Sequence, residues 1–208
     1  MDFLNDPAEI YRRSFAAIEA EVDLSALPPD VRAIATRVIH SCGMTGIAPL
    51  LRIDPELPEA VLAALAAERP VLCDVEMVRC GIIRRLLPEG VEVMCKINDE
   101  EAIERAERLS VTRSAAATAL WRPMLEGAVC VIGNAPTALF TLMEMIDNGA
   151  PPPAAIIAFP VGFVGAEESK DELDANPRGA KIATLLGRQG GAGMAAAAFN
   201  AITTAAFS

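Results

Sequence analysis

Hydrophobic positions along the first forty residues recur at helical spacing. In "PAEIYRRSFAAIEAEV" (7–22), Ile10, Phe15, Ile18 and Val22 predict a helix with one apolar stripe. "PPDVRAIATRVIHSC" (28–42) follows, its paired prolines suited to a first helical turn. The pattern then changes to short apolar runs, which predict strands at 70–74, 91–95, 128–132, 154–159 and 181–186. Helical stretches near 99–108, 113–126, 135–148 and 167–175 fall between them, and 191–206 closes the chain. Uniformly apolar strands separated by helices mean a mainly parallel sheet covered on both faces. The expectation is a doubly wound α/β fold: a five-stranded, mainly parallel sheet with a helical N-terminal segment. All of 1–208 forms a single domain, because "NGAPPPAA" (148–155) reads as a turn and crossover.

Three strand ends repeat one device. "CVIGNAPTALF" runs from strand through Gly133-Asn134-Ala135-Pro136 into a helix. "IIAFPVGFVGAEESK" passes through Gly162 and Gly165 to a helix opening on Glu167 and Glu168. "TLLGRQGGAGMAAAAFN" passes through Gly187, Gly190, Gly191 and Gly193. All three loops follow strand C-termini and gather on one rim, where open α/β sheets bind ligands. Helix N-termini and freed backbone N–H groups favour an anion there. None has the spacing of a dinucleotide or P-loop fingerprint, and the ribose-binding acid is missing. That counts against a nucleotide-dependent oxidoreductase.

Composition narrows the partners. A net charge of −10 over 208 residues counts against nucleic acid as a partner, since phosphate binding needs a basic surface. The basic set is nevertheless skewed, 15 Arg against 3 Lys, and the guanidinium fork suits carboxylates. A GC-rich genome would produce the same skew. Five cysteines without a CxxC pair imply neither a zinc site nor a disulfide framework, and point to a reducing, cytoplasmic setting. "MDFLNDPAEI" lacks the basic-then-apolar pattern of a secretory leader. The uncharged "QGGAGMAAAAFNAITTAAFS" at 189–208 reads as a buried or subunit-interface helix, since alanine is too weakly lipophilic for a membrane span.

The chain has one histidine, His40. On a helix at about 100° per residue it lies opposite the stripe of Val31, Ile34, Ala35, Val38, Ile39 and Cys42. It shares its face with Ala33, Thr36 and Arg37, and so looks toward solvent, a ligand or another subunit. Histidine is the side chain whose ordinary pKa suits acid–base work near neutrality.

"RSF" (13–15), "RVIH" (37–40), "TRSAAA" (112–117), "GNAPTALF" (133–140), "PVGFVGAEESK" (160–170) and "GRQGG" (187–191) together resemble the precorrin-8X methylmutase family, from about Ile10 to Ile202. The resemblance implies an isomerase of cobalamin biosynthesis, moving a methyl group from C11 to C12 of precorrin-8X to give hydrogenobyrinic acid. It implies a homodimer with the site near the subunit interface, and no metal, nucleotide or redox cofactor. His40 would be the proton donor or hydrogen-bonding acid. The polycarboxylate tetrapyrrole would meet Arg13, Ser14, Arg113, Asn134, Gly162, Lys170, Arg188, Gly190 and Gly191. Two departures stand out: Ala192 where the family usually has serine, and Glu167 where a small residue is common. A corrinoid carrier without catalysis is the competing expectation, and no nucleic acid or membrane is expected as partner.

Overall fold

The computed structural model describes residues 3–207. Met1, Asp2 and Ser208, which the single-domain and leader expectations include, lie outside the described residues. Two helices come first, α1 (Pro7–Glu21) and α2 (Pro29–Cys42). Asp6 caps α1, its carboxylate accepting from the Ala8 N–H at 2.9 Å, and Pro7 fills the first turn. Gly43, at φ 69°, ends α2 in the left-handed conformation that glycine adopts without strain.

Six strands form one sheet: β1 (Leu51–Ile53), β2 (Val71–Cys73), β3 (Val93–Cys95), β4 (Val129–Ile132), β5 (Ala155–Ala158) and β6 (Lys181–Leu185). Their order is β1-β6-β5-β4-β2-β3. All neighbours are parallel except β1, which runs antiparallel to β6 with Leu51 opposite Leu185. The five expected strands are therefore present, and the sheet is mixed and six-stranded instead of five-stranded. β1 escapes a sequence reading because three residues are too few to show alternation. It forms because a turn of 3₁₀ helix at Thr45–Leu50 brings the chain alongside β6.

The remaining helices are α3 (Leu57–Ala66), α4 (Glu76–Gly81), α5 (Glu100–Leu109), α6 (Arg113–Ala119), α7 (Pro136–Asp147), α8 (Ala166–Ala175) and α9 (Ala192–Phe207). The helix expected over 113–126 stops at Ala119, and a separate 3₁₀ turn at Arg122–Met124 holds Pro123, which a continuous helix would not accommodate.

The strands alternate between two cores. Val71, Cys73, Val131 and Ile157 point to one, filled by Ile34, Val38, Ala198 and Phe199 from α2 and α9. Leu72, Cys130, Ile132 and Ile156 point to the other, filled by Trp121, Leu139 and Leu142. Both faces are covered, which is why the strands carry no polar alternation. The uncharged α9 is a buried helix packed on α2, as its composition suggested. No helix among the described residues is long and apolar enough to cross a membrane.

Candidate active site

The parallel strands deliver their C-terminal ends to one rim. There the loops after β4, β5 and β6 are stitched together by main-chain bonds. Asn134 accepts from the Val161 N–H at 3.3 Å, Arg188 from the Gly162 N–H at 3.2 Å, and Phe159 from the Gly191 N–H at 2.8 Å. Gly190 lies so close to this seam that a Cβ on it would sit 2.3 Å from the Phe159 carbonyl oxygen. The seam uses N–H groups that sequence reasoning had left for a ligand. Gly162, Gly190 and Gly191 thus shape the rim through backbone packing.

Lys170 also works from beneath. It is fully buried, and its ammonium donates to the carbonyl of Gln189 in the last loop. Burial lowers its pKa to about 8, with Asp171 and Glu167 opposing that shift. Lys170, expected to meet the substrate, here supports the last loop through this bond. Arg188 is exposed beside Glu167 at 3.9 Å, its guanidinium 5.7 Å from the centre of the Phe163 ring. Phe163 and Val164 protrude, 86% and 88% exposed. Ala192 opens α9 without a hydroxyl to offer.

His40 sits in the last turn of α2, half-buried under α1. Tyr11, Ser14, Phe15 and Ile18 are spaced i, i+3, i+4, i+7 along α1, so they share one face. From that face the Ser14 hydroxyl meets His40 Nδ1 at 2.7 Å. The Tyr11 and Phe15 rings each lie 5.5 Å from the imidazole centre. The Arg37 guanidinium lies 5.3 Å from both of those rings. The outward face derived for His40 thus holds with respect to the core, but α1 covers part of it. Thr36 departs from that expectation: it is buried, because α2 packs on both α1 and α9 and its inner stripe is wider than one row.

With Nδ1 engaged by Ser14, Nε2 is the imidazole nitrogen left to address a ligand. When Ser14 donates, Nε2 carries the proton and can give it or hydrogen-bond with it. The segment just after α2 touches the last loop, since Gln189 Nε2 approaches Met44 Sδ at 3.6 Å. Ser14 and His40 are brought together where α1 packs on the last turn of α2.

Arg113 reaches the opposite end of the same rim. It is the exposed first residue of α6, and the preceding Thr112 hydroxyl bonds that of Thr137 at 2.7 Å, one residue into α7. Arg13 has its ion-pair partner on its own helix. It is exposed on α1 and pairs with Glu9 at 2.6 Å, and Arg12 and Arg13 together hold the Glu9 carboxyl down to about 2. Asn134 does not cap α7, which begins without a side-chain cap; in the loop ahead of it the N–H groups of Gly133, Asn134 and Ala135 all donate to Asp74. Asp74, Arg37 and the aromatic pair Tyr11 and Phe15 were missed by sequence reasoning. The spacing of Tyr11, Ser14 and Phe15 was the available signal for α1; nothing local signals Asp74, whose partners lie about sixty residues away. No group of three or more metal-ligating side chains occurs among the described residues.

These features define a doubly wound α/β protein with a serine-held histidine and several arginines along the rim of its sheet. The precorrin-8X methylmutase family model matches residues 9–205. A precorrin-8X methylmutase of Pseudomonas aeruginosa is 50% identical, across 98% of each chain. A cobalt-precorrin-8 methylmutase of Priestia megaterium is 34% identical, across 95% of this chain and 87% of that one. The solved structure of a precorrin-8X methylmutase from Thermus thermophilus superposes with a TM-score of 0.83 at 30% identity, covering 95% of each chain. The chain belongs to the precorrin-8X methylmutase family, and it is an isomerase of cobalamin biosynthesis.

Proposed function

We propose that the chain moves the C11 methyl group of precorrin-8X to C12, giving hydrogenobyrinic acid, with His40 as the acid that addresses the macrocycle. The observation that carries this is the 2.7 Å bond between Ser14 and His40 Nδ1, which engages that nitrogen and leaves Nε2 for a ligand. Substrate and product are isomers, so a proton lent by Nε2 as the methyl migrates returns to it when the product forms. The chemistry needs orientation and a placed hydrogen bond more than a strong acid.

The arginines divide the substrate's carboxylates among them. Arg113 takes one end of the rim, Arg188 the other, and Arg37 a position beside His40. Aromatic stacking holds Arg37 without an ion pair among the described residues, leaving its fork free for a carboxylate. Metal-free precorrin-8X is the better substrate in this proposal, because identity is 50% to a relative named for it and 34% to one named for cobalt-precorrin-8. We further propose that the whole chain acts as one domain, in the cytoplasm, as a homodimer. The protruding Phe163 and Val164 at the rim, unusual for a surface bathed in water, support that pairing.

The test is an absorbance assay of the purified protein with precorrin-8X, comparing wild type with His40→Ala. Wild type is expected to produce the hydrogenobyrinic acid spectrum, and the variant to lose turnover by about 10²-fold or more. A variant that turns over as fast as wild type removes His40 from the chemistry. Tight binding by wild type without conversion would make the chain a carrier.

A further inference from the structure

Asp74 follows β2 at the point where the sheet changes its direction of winding. From β2 the chain moves outward to β3, while β4, the other neighbour of β2, leads to β5 and β6 on the opposite side. The crevice outside such a pair of strands is where open α/β sheets bind ligands. Here the loop leading into α7 presents three consecutive N–H groups, those of Gly133, Asn134 and Ala135, beside that crevice. In this family of folds, such a cluster receives a ligand's phosphate or carboxylate. In this protein a side chain fills it. Asp74 is 2% exposed; Oδ1 accepts from the Gly133 N–H at 2.9 Å, and Oδ2 accepts from the Asn134 and Ala135 N–H groups at 3.0 Å each.

We infer that Asp74 is a built-in anion: it occupies the fold's ligand-anion cluster, fixes the 133–135 loop before substrate arrives, and closes that position to phosphate-bearing ligands. Several observations fit together in this assignment. The loop has no freedom to relax inward, since a Cβ on Gly133 would meet Ala192 Cα and Val78 Cγ2 at 2.7 Å. Asn134 also anchors the second loop through its carbonyl, so a shift at 133–135 would pass along the stitched rim. With the backbone cluster taken, substrate carboxylates are left to guanidinium groups, which explains why the rim arginines carry that recognition. A purely structural carboxylate could have been replaced by an apolar contact, because burying an anion is costly unless its hydrogen bonds matter. Burial indeed pushes the Asp74 carboxyl above the ordinary range, against the pull of the three N–H donors.

Asp74 is a positioning residue, and its effect on turnover rests on the function proposed above. The experiment is chemical rescue of Asp74→Ala, which leaves three donors around a hole the size of a carboxylate. Turnover of precorrin-8X should fall roughly 10–100-fold in kcat/KM, mostly through KM. Sodium formate should restore part of it and raise the variant's melting temperature, where sodium chloride at equal ionic strength does neither. Inorganic phosphate should stabilise Asp74→Ala and leave wild type unchanged. Formate and phosphate without effect on either melting or KM would overturn the assignment. If Asp74→Ala does not fold, Asp74→Asn serves. It keeps the shape but turns an NH₂ toward one donor, so a wild-type KM in that variant also overturns it. Wild type inactive on precorrin-8X would defeat the proposed function alone, because formate-dependent melting of Asp74→Ala still reports on the loop.

Discussion

Lys170 shows how far a residue's environment can depart from its type. A lysine after two glutamates on a helix suggests a solvated surface, yet its ammonium is buried and ties α8 to the last loop. Its titration has a direct consequence for stability. In the unfolded chain a lysine holds its proton to about pH 10.4. In the native protein Lys170 releases it at about 8. Between those values the unfolded state binds more protons, so this group adds stability as pH rises, whereas below about 8 both states are protonated and its contribution is constant. Urea unfolding of wild type and Lys170→Met at pH 7 to 10 isolates the effect. The difference between them should move in favour of wild type as pH passes from about 8 toward 10; a constant difference would show that the amine is not desolvated as described.

Elements, in turn, explain why the rim is stiff. Each of the three loops hands its polar groups to a neighbour, and Asp74, at the end of β2, satisfies the 133–135 loop ahead of α7. Gly190 lies at the tightest point of this seam, where two carbonyl oxygens stand within 2.6 Å of any added Cβ. Both obstacles are backbone, so an alanine cannot be accommodated by rotating a side chain. Gly190→Ala is expected to displace the last loop, lower thermal stability by about 2 kcal/mol or more, and cut activity together with it. Differential scanning calorimetry and the absorbance assay check both parts. Unchanged melting would show that the loop is looser than this packing. The α1 face carrying Tyr11, Ser14 and Phe15 is equally an element-scale device, since helical spacing alone lines them up against α2.

At the scale of the whole molecule, the rim is left open beside exposed apolar side chains. Phe163 and Val164 lie almost wholly in solvent, and Tyr11 next to His40 is 47% exposed. A second copy covering this edge would exclude water from His40 and strengthen its hydrogen bond to the substrate. Sedimentation equilibrium at micromolar concentration is expected to give twice 21.9 kDa. Phe163→Asp should shift the population toward monomer and lower activity in parallel. A wild-type monomer with full turnover would show that one chain suffices.

Much of this architecture was legible in the linear pattern. The five parallel strands show as apolar runs, because covering both sheet faces removes polar alternation. The helices expected from spacing, the uncharged α9 and the three glycine loops are likewise local features, whereas α3 and α4 do not stand out in the pattern. His40 stood out because its helical phase opposes the apolar stripe. Tertiary structure decided what depends on partners distant in the chain. β1 is a strand only because β6 offers it hydrogen bonds. Thr36 is buried only because two helices press on α2. Asp74 meets backbone groups 59 to 61 residues away. Periodicity reports which face of an element is apolar; which polar groups are already taken depends on contacts between elements. So the N–H groups of 133–135 and the Lys170 ammonium, open to a ligand in the linear pattern, have hydrogen-bond partners inside the protein.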